Sequence, residues 1–216
     1  NGQTSWNGAV DPNAIDPAAF YDKDNKLWMV YGSYSGGIFV LAMDETTGKP
    51  EAGQGYGARL LGGDFRAIEG AYVIYSPVAD YYYLFYSVAG FAANDGYNIR
   101  IARSKTPKGP YLDPAGNNVA TASGLEIGGK LLGGFEFTQA LGEQGASWGY
   151  QSPGHNSAYY DETSDQYFLI FHTRFPQQGE QHQVRVHHLQ LLPPQQFFPL
   201  RPARGQQFSW IRVPAC

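Results

Sequence analysis

Apolar and polar positions alternate in short runs along much of this chain, and the runs come in a repeating order. Three stretches share it: DPAAFYDKDNKLWMVYGS from Asp16, EGAYVIYSPVADYYYLFYSV from Glu69 and HNSAYYDETSDQYFLIFHT from His155. In each, a polar head precedes a short apolar strand, at Ala18 to Tyr21, Ala71 to Tyr75 and Ser157 to Tyr160. A polar turn follows, then an aromatic strand at Leu27 to Tyr31, Tyr81 to Tyr86 and Tyr167 to Phe171. Period-two alternation bounded by turn residues is the mark of a strand, and two such runs around a tight turn predict a hairpin. A third alternating run continues each unit, at Gly37 to Met43, Tyr97 to Ser104 and Val184 to Leu189, so each unit is a meander of at least three strands.

Repeated meanders of this size predict an all-β fold built as a β-propeller, in which the heads of the innermost strands converge on one axis. A β-sandwich also uses short, evenly spaced strands. It does not explain why the units share their order of head, strand, turn and aromatic strand. The heads are 53 and then 86 residues apart, and the excess falls in the Gly-rich stretch from Thr106 to Tyr150. That stretch is expected to hold a long inter-blade loop or strands of a divergent unit. A propeller typically closes with four to eight blades, and at least three are visible here.

Composition narrows the function classes. With 15 % aromatic and only 16 % charged residues the chain is not of the disordered type, and 27 glycines suit strands joined by tight turns. The net charge of −4, with Lys and Arg scattered singly, gives no footprint for nucleic acid or an anionic membrane. No run of eighteen apolar residues occurs, so no membrane partner is expected. Cys216 is the single cysteine, which excludes a disulfide within the chain. The start at Asn1 has no signal-peptide pattern, which leaves room for one already removed. No GxGxxG, P-loop, HExxH or GxSxG pattern is present.

The polar heads are the candidate chemistry. Asp16 stands before Pro17, and an Asp-Pro turn is common in its own right; Asp11-Pro12 has the same form with no hairpin after it and is read as a loop. Glu69 heads an apolar strand, where a carboxylate needs a reason, either a catalytic one or an ion pair with Arg66 or Arg59. Two carboxylates heading different repeats are the minimum that glycoside hydrolysis requires. His155 heads the third repeat and is read either as a hydrogen-bonded core histidine or as a metal ligand. His172, His187 and His188 lie inside strands and are read as structural, the last two on opposite faces. Sugar rings stack on exposed aromatics, for which Trp6, Tyr34, Phe91 and Trp148 are candidates.

A set of ordered motifs carries a resemblance: Asn13-Ala14-Ile15-Asp16-Pro17, Trp28 to Ile38, Ile68-Glu69-Gly70, Ser152-Pro153-Gly154-His155-Asn156-Ser157, Phe171 to Phe175 and Val184 to His187. Together, over about residues 5 to 190, they resemble the endo-α-1,5-L-arabinanases of glycoside hydrolase family 43. The resemblance implies a five-bladed β-propeller that hydrolyses arabinan with inversion, using an Asp general base, an Asp that tunes pKa and orients, and a Glu general acid. Asp16 matches the second carboxylate and Glu69 the third. His155 matches a histidine at a central metal, usually calcium, held largely through water, and Asn13 and Ser33 match positions lining the sugar cleft.

The family's general base belongs to a blade that would precede Asn1, and no hairpin of this chain supplies it. The tail over residues 191–216 also departs from the expected closing strand. Residues 1–216 are thus expected to form a single, incomplete propeller domain that hydrolyses poorly alone. The expected partner is arabinan or an arabino-oligosaccharide and the expected location extracellular, with the oligomeric state open. An exo-acting arabinofuranosidase or xylosidase, a non-catalytic sugar-binding propeller and a purely structural one are the alternatives.

Overall fold

The computed structural model describes residues 5–124, 127–142, 144–145, 147–191 and 211–213. They form three sheets, each a meander. The first contains β1 (Ala18–Tyr21), β2 (Leu27–Tyr31) and β3 (Ile38–Asp44), with β4 (Lys49–Pro50) and β5 (Ala58–Leu61) both pairing with β3. The second runs β6 (Ile68–Ser76), β7 (Tyr81–Val88), β8 (Asn98–Ser104) and β9 (Gly129–Leu132). The third runs β10 (Phe135–Phe137), β11 (Trp148–Asp161), β12 (Gln166–Arg174) and β13 (Gln183–Leu191), and β14 (Ile211–Val213) adds in parallel to β13. All the expected hairpins are present. Thr106 to Tyr150 holds β9, which closes the second sheet, and β10, which opens the third. Residues 192–210 and 214–216, most of the tail and Cys216, lie outside the described residues.

Strand β6 lies against β1 on one side and β11 on the other, so these three strands, one from each sheet, are neighbours, as innermost strands of successive blades are. The middle sheet is buried on both faces, which is why YYYLFYSV reads as a continuous apolar run. Along β7, Tyr82, Leu84 and Tyr86 face Phe20, Trp28, Val30 and Val40 of the first sheet. The alternate residues Tyr83 and Phe85 face Leu169, Phe171 and Leu189 of the third. The period-two geometry of one strand thus serves two inter-blade cores. Among the described residues no helix is long and apolar enough to cross a membrane.

Hairpin register corrects one sequence expectation. Asp16 and His155 each stand six residues before the Asp that enters the hairpin turn, Asp22 and Asp161, whereas Glu69 stands seven before the corresponding Ser76. Gly70, not Glu69, is therefore the register equivalent of Asp16 and His155. Backbone angles agree, since Asp16, Gly70 and His155 have φ of 54°, 58° and 46°. The extra residue is absorbed by a bulge between Glu69 and Tyr72, and bulges re-aim side chains.

Candidate active site

A cavity of about 640 Å³ opens beside the innermost strands, lined by Asp16, Gly70, His155, Asn156, Ser157 and His172 together with apolar and aromatic residues. Asp16 and His155 hold left-handed conformations that cost a non-glycine residue free energy and concentrate at functional sites. The N–H of Gly70 donates to Asp16 Oδ2 at 3.1 Å, which ties the head of the first blade to the second. Asp16 is the one carboxylate in the lining among the described residues. Glu69, turned by the one-residue offset, is outside it.

Glu69 is half-buried and held by two hydroxyls: Tyr97 donates to Oε1 at 2.5 Å and Ser33 to Oε2 at 3.2 Å. Ser33 is placed by the next residue, whose N–H donates to the Ile68 carbonyl. Burial, and then the charges of Glu69 and Asp95, raise the Tyr34 phenol. Arg66 instead donates to the Ala122 carbonyl, so the ion-pair explanation of Glu69 yields to this hydroxyl pair. The Tyr97 phenol is raised above its ordinary range by burial, then by its bond to Glu69.

His155 is exposed, and its backbone N–H donates to Ser87 Oγ at 2.7 Å. His172, read from sequence as structural, lines the cavity and stacks between Tyr97 and His155, with ring centroids 5.9 and 6.3 Å away. Its imidazole is held neutral, pushed down to about 4 by burial and then by the charges of His182, His155 and Arg174. His187 and His188 do face opposite ways, toward Tyr150 and Phe168. Asp11 accepts the Asn7 N–H within a loop, as its Asp-Pro setting predicts.

Both polar atoms of the buried Asn156 side chain and Nδ1 of His172 are buried without a hydrogen-bond partner among the described residues. Such orphaned groups around a cavity suit a polar guest. Among the described residues no group of three His, Cys, Asp or Glu stands close enough together to hold a metal ion.

The other candidates are dispersed. Asn13 is exposed, accepts the Ile15 N–H on its carbonyl and lies outside the cavity lining. Trp6, Phe91 and Trp148 are exposed and Tyr34 half-buried; none of the four lines the cavity. Tyr97, Ser87 and Asn156 were not singled out from sequence. Gly154 was the available signal for Tyr97, because a Cβ there would sit 1.9 Å from the Tyr97 ring.

Comparison with known proteins bears on this arrangement. The chain is 51% identical over 191 residues to an extracellular endo-alpha-(1->5)-L-arabinanase of Thermotoga petrophila, covering 86% of this chain and 41% of that protein. It is 53% identical over 197 residues to extracellular endo-alpha-(1->5)-L-arabinanase 2 of Bacillus subtilis, with the same coverages. The solved endo-1,5-alpha-L-arabinanase from Thermotoga petrophila RKU-1 superposes with a TM-score of 0.80 at 50% identity, covering 85% of this chain and 42% of that one. The chain thus spans about two fifths of the length of these relatives. They are five-bladed β-propellers, of which the described residues here supply three blades. Residues 3–193 match the model for glycosyl hydrolases family 43, and the chain belongs to that family.

Proposed function

We propose that this chain carries the acid side of the active site of an extracellular endo-α-1,5-L-arabinanase that inverts configuration. The observation that carries the reading is the Glu69 carboxyl, held by two hydroxyls beside the Asp16–Gly70 bond where three blades meet. Glu69 gives its proton to the glycosidic oxygen as the C1–O bond breaks, and Asp16 orients the sugar and tunes the acid. Water attacks C1 from the opposite face and loses its proton to a base, which in inverting enzymes stands about 6.5 to 9.5 Å from the acid. No residue of this chain is assigned as that base. Calcium would reside in the central cavity, held through water by His155 with Asn156 nearby, and would supply fixed positive charge beside Asp16.

Azide tests this, since it can attack C1 without a base. With linear α-1,5-arabinan and sodium azide, the chain is expected to release oligosaccharides ending in β-arabinofuranosyl azide, and Glu69→Gln to release none. Cleavage undiminished in Glu69→Gln refutes the acid assignment. A second reading, a non-catalytic arabinan-binding propeller, is favoured by the single carboxylate in the cavity lining. It predicts no cleavage with azide and equal calorimetric affinity for an arabino-oligosaccharide in both proteins.

A further inference from the structure

We propose that Tyr97 is the positioning residue of Glu69, whose phenol fixes Oε1 as an acceptor and leaves Oε2 to carry the transferred proton. The inference rests on the reading of Glu69 as the acid.

The Tyr97 phenol has a single proton, and it points at Glu69 Oε1 across 2.5 Å, at the short end of O–H···O bonds. A proton on Oε1 would meet that phenolic proton head on, so Oε1 stays bare. Ser33 is different, since at 3.2 Å its bond to Oε2 is long, and a free hydroxyl rotor can turn from donor to acceptor when Oε2 is protonated. One carboxyl oxygen is thereby locked and the other is free to exchange its proton.

The fold holds Tyr97 in place from every side. The residue is fully buried, and its ring lies over the backbone of Gly154 and is stacked on His172. Glu69 itself is fixed in the β6–β7 ladder, where it pairs with Ser87.

The test uses this chain, with sodium azide present throughout, and the variants Tyr97→Phe and Glu69→Gln. Two substrates separate protonation from other steps: arabinotriose, whose leaving alcohol needs a proton, and dinitrophenyl α-L-arabinofuranoside, whose leaving phenolate does not. Tyr97→Phe is expected to lower kcat on arabinotriose about tenfold or more at steady KM, and to affect the aryl substrate far less. Equal losses on both substrates in Tyr97→Phe would mean a merely structural role and overturn the proposal. Undiminished arabinotriose turnover in Glu69→Gln would sink the acid reading instead. A proton NMR spectrum decides the hydrogen-bond geometry without turnover: wild type should show a far-downfield, slowly exchanging hydroxyl proton that is absent in Tyr97→Phe and moves upfield in Glu69→Gln. A wild-type spectrum without that signal, or one unchanged in Glu69→Gln, overturns the proposal.

Discussion

Adding one methyl group at Gly154 should displace the best-packed aromatic ring of the site. A Cβ at this position would lie 1.9 and 2.0 Å from two carbons of the Tyr97 ring, against an ordinary contact of 3.4–4 Å. The ring must therefore retreat by about 1.5 to 2 Å to reach van der Waals contact. Retreat is opposed by His172 stacked beside it and by the hydroxyl bond to Glu69. Gly154 is not in the left-handed region, so the whole cost is steric. Overpacking of this kind costs about 1 to 3 kcal/mol, and loss of a hydrogen bond to a charged group adds about 1.5 to 3. Gly154→Ala should then be less stable by about 2.5 to 6 kcal/mol, which for a domain of this size lowers Tm by roughly 5 to 24 °C. Denaturant unfolding of wild type, Gly154→Ala, Tyr97→Ala and the double variant measures the cost and its origin. The double variant should recover most of the Gly154→Ala loss, because the clash needs both partners. A Gly154→Ala penalty below about 0.5 kcal/mol, or full additivity in the cycle, would refute the claim that Gly154 is glycine for the sake of Tyr97.

Two further outcomes follow from the cavity. His172 is neutral in the fold down to about 4, while in the unfolded chain it takes up a proton near the ordinary value of 6.5, so stability is lost as pH falls through that window. Discounted for the half-exposed setting of the group, the loss is about 1 to 2 kcal/mol, and His172→Gln should flatten it in urea titrations at pH 7 and pH 4.5; an equal slope in both proteins would count against the assignment. Calcium at a hundred times its dissociation constant should stabilise wild type by about 2.7 kcal/mol, read as a rise in Tm that EDTA reverses and His155→Ala reduces; a Tm indifferent to calcium and EDTA would remove the cation from the proposal.

Much of the fold was readable because its signal is local. Ala18 to Tyr21 and Leu27 to Tyr31 coincide with β1 and β2, since each is a clean run ended by a turn residue. The innermost strands β6 and β11 were read too short, starting at Ala71 and Ser157 rather than at Ile68 and Trp148. Bulges explain both misses: they break the period-two pattern while the backbone ladder continues past them. Short β9 and exposed β10 carry little apolar pattern of their own and take their place from the neighbours they pair with.

The site was half legible, and the missing half is three-dimensional. Asp16, Glu69, Ser33 and His155 stand in motifs, and the fold brings the first three of them together through Gly70 and the Glu69 carboxyl. Tyr97 immediately precedes β8, where the pattern offers only a core residue, and its bond to Glu69 joins positions 28 residues apart. By-eye alignment of the repeat heads also hid the most informative detail. If Glu69 had shared the register of Asp16 and His155, a left-handed glutamate would have faced the cavity alongside them. The inserted residue gives that strained position to Gly70, whose free N–H then holds Asp16, and turns Glu69 aside toward Ser33 and Tyr97. Two carboxyl groups heading adjacent strands are thus given different partners, a backbone amide for one and two hydroxyls for the other.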